Sequence, residues 1–215
     1  DYNTYIKAPA KSYTFTMGTY NGEGFDTIPT PITMPQPEYV KINNLLKTSI
    51  LTAGNRKAAY LLYNSFGEDD TQDLQQAMTQ LAAEQPTDVI LDLRYNPGGY
   101  VNTSMVLASM LAPADAVGKT YIDLLYNDKR EEKTTFLIDA AYRTGGTTFS
   151  YNNLYIITSG ETASASEAVI NGLKPYMQGK LFQVGTATFG KNLGQELFNS
   201  CLLYTSPSPR DISGS

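Results

Sequence analysis

Val89-Ile90-Leu91-Asp92-Leu93 runs straight into Arg94-Tyr95-Asn96-Pro97-Gly98-Gly99, and from there into Val101, Met105, Leu107, Ala108 and Leu111. A short apolar run of this kind marks a strand buried in a parallel sheet. The two glycines after it allow backbone angles that other residues avoid. The apolar spacing beyond them predicts a helix that stops before Pro113. The same order recurs downstream: Leu154 to Thr158 (LYIIT) predicts a second buried strand, residues 164–173 a helix ended by Pro175, and Leu181 to Val184 a third buried strand. Upstream, Thr48 to Ala53 and Lys57 to Asn64 predict two strands around the turn Gly54-Asn55. Asp70 reads as a helix N-cap, with Leu74, Ala77, Met78 and Leu81 on one helical face through Ala83. Strands alternating with helices argue for an α/β core.

The remaining segments are less regular. Tyr121 to Tyr126 and Thr134 to Ile138 predict a hairpin around the solvated charge run Asp128 to Lys133. Gly145-Gly146 reads as a turn, and Gln195 to Phe198 as the start of a further strand. Ser12 to Met17 alternates like a strand, while Asn21 to Pro37, rich in Gly and Pro, reads as a linker or extended arm. The expected organisation is therefore an N-terminal strand and linker over 1–44, an α/β core over 45–200, and a non-native or disordered tail over 201–215.

Composition narrows the function classes. The 215 residues are 41% hydrophobic and 17% charged, with a net charge of −5. That suits a folded domain, and no apolar run approaches the roughly 18 residues of a membrane span. Basic residues form no stripe, which argues against nucleic acid as a partner. One cysteine and no histidine exclude an intrachain disulfide framework and a zinc site, and no other metal or cofactor is called for.

What remains is serine chemistry without an imidazole. Gly160-Glu161-Thr162-Ala163-Ser164-Ala165-Ser166-Glu167 places Ser164 where a buried strand gives way to a helix. A helix start offers free N–H groups and a positive dipole end to a developing oxyanion. Ser164-x-x-Glu167 is also a capping box, which needs no catalytic purpose. Thr188-Phe189-Gly190-Lys191 supplies a lysine in a turn, and a lysine kept neutral by burial can take a proton from a serine. Gln195, four residues on, could hold that amine in direction. The Gly98 and Gly99 N–H groups are candidates for an oxyanion hole.

The three segments together, Asp92 to Gly99, Thr162 to Glu167 and Thr188 to Gln195, resemble the S41 peptidases, the C-terminal processing proteases. The resemblance covers residues 45–199, and Tyr60 to Phe66 looks like the family's strand at the start of its core. It implies a ClpP/crotonase-like α/β core of repeated ββα units and hydrolysis of peptide bonds near the C-termini of protein or peptide substrates. It implies Ser164 as nucleophile, Lys191 as general base and Gln195 as the residue that orients it. Gly98 or Gly99 with Ala165 would form the oxyanion hole, and Glu167 and Thr188 would support them. It also implies an extracytoplasmic location and a PDZ domain before the core, of which residues 1–20 would be the last strand. The separation of Ser164 from Lys191 is slightly longer than the family pattern, which counted back from Lys191 lands on Ser166. The local motif keeps the register on Ser164, and the extra residues fit between Pro175 and Leu181. Asn192 stands where the family has glycine. A second reading is a crotonase-like scaffold that binds peptides without turnover.

Overall fold

The computed structural model describes residues 12–35, 42–130, 132–143 and 150–195. The expected turn at Gly145-Gly146, most of the strand expected at Gln195 to Phe198 and the tail over 201–215 lie outside these residues. The chain divides into two compact units after Ile42.

In the first unit, β1 (Ser12–Phe15) pairs antiparallel with β4 (Ile32–Pro35), and β2 (Gly18–Tyr20) with β3 (Phe25–Thr27). The segment expected to be a linker therefore contains two strands. Asn21-Gly22-Glu23-Gly24 is a hairpin turn in which Asn21 Oδ1 accepts the N–H groups of Glu23 and Gly24, with Gly22 at φ 102°. The glycines thus reverse the chain, and Pro29 and Pro31 fall between β3 and β4.

The second unit is built on a five-stranded sheet. Strand β5 (Leu45–Ala53) and β6 (Arg56–Tyr63) form the expected hairpin. Helix α1 (Thr71–Ala83) follows, burying Leu74, Ala77, Met78 and Leu81 as its periodicity requires. Asp70 occupies the N-cap position but does not cap. Its carboxylate instead accepts from Tyr63 Oη at 2.6 Å, Gly67 N–H at 2.8 Å and Asn44 Nδ2 at 2.9 Å. Next come β7 (Asp88–Asp92), α2 (Val101–Leu111), the separate hairpin of β8 (Thr120–Leu125) and β9 (Lys133–Leu137), β10 (Asn153–Thr158), α3 (Ala165–Leu173) and β11 (Leu181–Gly185). The sheet order is β11-β10-β7-β6-β5, parallel throughout except for β5. This is a mixed α/β architecture.

Strand alternation decides what the helices cover. Ala59, Leu61 and Tyr63 on β6, Val89 and Leu91 on β7, and Leu154 and Ile156 on β10 join α1, α2 and α3 in one core. Tyr63 and Phe66 meet edge to face at its centre, with ring centroids 4.8 Å apart. Strand β11, expected to be buried, lies at the sheet edge, and its residues from Phe182 to Gly185 are exposed. An apolar run reports strand propensity, but it does not report whether a neighbour covers either face. The parallel strands β7, β10 and β11 all end on the same side of the sheet, the usual place for a site in an open α/β fold.

Candidate active site

The turns after β7, β10 and β11 are bound to one another by hydrogen bonds. Thr162 Oγ1 accepts the Ser159 N–H at 3.0 Å and donates to Leu93 O at 2.7 Å, joining the end of β10 to the end of β7. The Ser159 hydroxyl donates to Arg94 O. From β11, the Thr186 N–H reaches Thr158 O at 3.2 Å and the Phe189 N–H reaches Thr162 O at 2.9 Å.

Ser164 sits at the centre of this arrangement, half-buried, at φ 56° and ψ −115°. Apart from Gln85, it is the only described non-glycine residue with positive φ. Such a conformation costs about 1–3 kcal/mol and persists only when its surroundings enforce it. A sharp, strained turn from strand to helix is the device that presents a nucleophilic serine in other α/β enzymes. Ser166 is different: it is fully buried and its hydroxyl donates to Asn96 O at 3.0 Å. Its oxygen has no route to a substrate.

The Gly98-Gly99 turn packs directly on Ser164. A Cβ on Gly98 would lie 2.7 Å from Ser164 Cβ and 2.9 Å from both Ala163 O and Ala165 N, at φ +108°. A Cβ on Gly99, at φ +139°, would strike the Phe66 carbonyl. Both positions therefore require glycine. The Gly98 N–H is already spent on Asn96 Oδ1 at 2.9 Å. Among the described residues no partner takes the N–H of Gly99 or of Ala165.

Glu167 joins the serine to the lysine loop. Oε2 accepts the Ser164 N–H at 2.8 Å and the Lys191 N–H at 2.9 Å, and Oε1 accepts the Gly190 N–H at 2.7 Å. The main-chain nitrogens of Ser164 and Lys191 thus share one oxygen. Burial by itself pushes this carboxyl up, but the Thr188 side chain and the N–H groups of Gly190, Ser164 and Lys191 outweigh it and hold the pKa below the ordinary glutamate range. Glu167 therefore stays ionised, and it also closes the expected capping box.

The side chains are less converged than the main chain. Lys191 is half-buried rather than buried, because its loop leaves an exposed edge strand. Its side-chain nitrogen and the Ser164 hydroxyl are not hydrogen-bonded to each other, and Gln195 is exposed with no bond to Lys191. Sequence reasoning also passed over Asp92, which is fully buried and accepts from Arg94 Nη2 at 2.7 Å and from Tyr60 Oη at 2.8 Å. Burial pushes the Asp92 carboxyl up, and the guanidinium and phenol bring it below the usual carboxylate range. Among the described residues no three His, Cys, Asp or Glu side chains form a metal-holding group.

A strained serine at a strand-to-helix junction, packed against a glycine turn at the end of an α/β sheet, is an arrangement used by serine hydrolases. Within that class the family is settled by sequence: the model of peptidase family S41 matches residues 57–201, and the chain belongs to this family. It is 27% identical over 212 residues to carboxyl-terminal-processing peptidase 3, chloroplastic, of Arabidopsis thaliana, covering 93% of this chain and 38% of that protein. It is 28% identical over 142 residues to a carboxyl-terminal-processing protease of Picosynechococcus, covering 66% of this chain and 31% of that protein. The chain thus spans only 31–38% of the length of these relatives. Among solved structures, a putative S41 protease from Bacteroides fragilis superposes with a TM-score of 0.70 at 27% identity, covering 90% of this chain and 52% of that one. The photosystem II D1 C-terminal processing protease shares the fold, with a TM-score of 0.53 at 24% identity over 78% of this chain and 42% of that one.

Proposed function

We propose that this chain carries the core of a serine endopeptidase that cleaves protein substrates near their C-termini through a Ser164–Lys191 dyad. The observation that carries this reading is Glu167, whose one carboxylate binds the main chain of both residues. In the first step Ser164 Oγ attacks the scissile carbonyl carbon while Lys191, in its neutral amine form, takes the hydroxyl proton on Nζ. The carbonyl oxygen becomes an oxyanion, received by the free N–H groups of Gly99 and Ala165. Gly98 serves by packing against Ser164 rather than by its own N–H. The tetrahedral adduct collapses, the C–N bond breaks, and Lys191 returns the proton to the departing amine. Water, deprotonated by the same lysine, then hydrolyses the acyl-enzyme.

The reading needs no metal or cofactor. For the first step the Lys191 side chain has to turn toward Ser164, and such bonds are often loose before substrate binds. Thr188 supports the loop through Glu167, and Gln195 orients the amine once that loop closes. The finer fold is a ClpP/crotonase-like one: β5-β6-α1 is a complete ββα unit, followed by the β7-α2 and β10-α3 units. The working location is extracytoplasmic, and the partner is a peptide or protein chain.

The test is cleavage of a fluorogenic peptide by the full-length protein and its Ser164→Ala, Ser166→Ala and Lys191→Ala variants. Ser164→Ala and Lys191→Ala are expected to be inactive; undiminished turnover by Ser164→Ala would sink the assignment. A catalytically silent peptide-binding scaffold is the competing reading, favoured by the missing bond between Ser164 and Lys191. A fluorophosphonate probe separates the two, because a scaffold leaves Ser164 unlabelled.

A further inference from the structure

Asn96 is fully buried, yet all of its polar groups are partnered. Its Nδ2 donates to Tyr63 O at 3.0 Å, and its Oδ1 accepts the Gly98 N–H at 2.9 Å. Its carbonyl accepts the Ala163 N–H at 3.2 Å and the Ser166 hydroxyl at 3.0 Å, and its own N–H bonds to Leu93 O at 3.0 Å. One residue therefore holds the last residue of β6, the glycine turn, Ala163 just before Ser164 and Ser166 two residues after it.

We infer that Asn96 is a positioning residue that sets the two oxyanion donors, the N–H groups of Gly99 and Ala165, at a fixed separation across Ser164. The inference rests on the peptidase reading above and deepens it. Glycine at φ +108° and +139° has no side chain to restrict it, so the Gly98-Gly99 peptide planes would turn freely if nothing held them. An asparagine side chain that bonds the N–H two residues on closes an Asx-turn and fixes the peptide plane before Gly98. The next peptide carries the Gly99 N–H and is held at its carbonyl end, where Gly98 O accepts the Phe66 N–H at 2.9 Å and the Ser65 hydroxyl at 3.3 Å, so Asn96 fixes the start of the glycine turn and these bonds fix its far side. The Asn96 carbonyl meanwhile grips Ala163 and Ser166, so the peptide that carries the Ala165 N–H cannot drift relative to the glycine turn. Asn96 has no exposed surface and no spare polar atom, so it acts on the reaction only through these neighbours.

Amide chemistry is required at this position. A carboxylate could still accept the Gly98 N–H, but it would face the Tyr63 carbonyl without a proton to donate. A protonated carboxyl restores the donor. Asn96→Asp should therefore recover kcat relative to wild type as pH falls, and it should do so where melting shows the variant already folded.

The experiment measures kcat and KM on a fluorogenic peptide, and the affinity of a peptide aldehyde of the same sequence, for full-length Asn96→Ala, Asn96→Asp and Ser166→Ala. For Asn96→Ala we expect kcat to fall by about 10- to 100-fold, up to the loss of one oxyanion donor, with KM within about twofold. The aldehyde, which places an oxyanion in the same hole, should weaken by the same factor as kcat/KM. Ser166→Ala, which removes one bond to the Asn96 carbonyl, should lose about threefold or more in kcat. If Asn96→Ala does not fold, the Asn96→Asp pH ratio and Ser166→Ala decide. Folded variants with wild-type kcat and wild-type aldehyde affinity overturn the inference. A Ser164→Ala control that remains active overturns the peptidase reading instead, so the two failures are distinguishable.

Discussion

Replacing Glu167 by glutamine tests the connection between the proposed nucleophile and base with almost no change in shape. The carboxylate receives the Ser164 and Lys191 N–H groups on Oε2 and the Gly190 N–H on Oε1. Glutamine has only one carbonyl oxygen. Turned one way, its NH2 group faces the Gly190 N–H; turned the other, it faces both Ser164 and Lys191. At least one charge-assisted bond is lost, worth about 1.5–3 kcal/mol, and a donor is left facing a donor. Glu167 is buried, so water does not repair the loss. We take the total as about 2–4 kcal/mol, which corresponds to about 30- to 1,000-fold in kcat/KM if it all falls on productive geometry. The assay is steady-state cleavage of a fluorogenic peptide, with thermal melting as the folding control. Protonation should act as the glutamine does. The Glu167 pKa is lowered from about 4.5 on folding, so its contribution is present above that value and is lost only as pH falls through the lower folded value. Wild-type melting temperature should accordingly fall as pH drops below about 4.5, and that fall should be smaller in Glu167→Gln. A folded Glu167→Gln variant with kcat/KM within about threefold of wild type would refute the reasoning.

Further expectations follow from the same geometry. Gly98→Ala should cut kcat by about 100-fold or more in steady-state assays, since its Cβ would sit 2.7 Å from that of Ser164. Ser164→Gly should abolish cleavage while raising the melting temperature, because it releases about 1–3 kcal/mol of backbone strain against a smaller entropic cost of glycine. Asp70→Ala should lower stability by about 2–4 kcal/mol in urea titrations, because it strips the buried Tyr63 hydroxyl and the Gly67 N–H of their acceptor.

Residues that decide the fold through local pattern were readable in the sequence. Val89 to Leu93, Leu154 to Thr158 and the Leu74, Ala77, Met78, Leu81 face carry their periodicity within a few positions, and the structure uses them as that periodicity requires. Strand β11 was misread as buried because burial depends on a neighbour, and Phe182 and Val184 have none on the outer edge among the described residues. Asp70 was misread as a cap because its partners Asn44, Tyr63 and Gly67 outcompete the helix N-terminus, and only the β6 hairpin brings the first two within reach. The same distinction holds within the site. Ser164 and Glu167 lie three residues apart and announce each other as a capping box. Asn96 lies far in sequence from Tyr63, Ala163 and Ser166, so nothing in its local motif reveals that it holds all three. The choice between Gly98 and Gly99 as donor was likewise unreadable, since it turns on which N–H the Asn96 side chain has already taken.

A capping box and a nucleophile are rival explanations of Ser164-x-x-Glu167, and the proposed dyad accommodates both. A cap residue ordinarily has extended backbone angles; Ser164 instead stands at φ 56°. That departure costs about 1–3 kcal/mol. A hydrogen bond from the Ser164 N–H to an ionised, buried carboxylate is worth about 1.5–3 kcal/mol, enough to offset it. Gly98 closes the other side, since its missing Cβ is what leaves room for Ser164 in this conformation. The cap is therefore the means by which a strained serine is held, and the same carboxylate draws the Lys191 main chain to the same oxygen. An unstrained cap at this junction would need no ionised partner shared with a distant loop. The sharing is what a purely structural capping box leaves unexplained, and it is the observation on which the proposed two-residue unit rests.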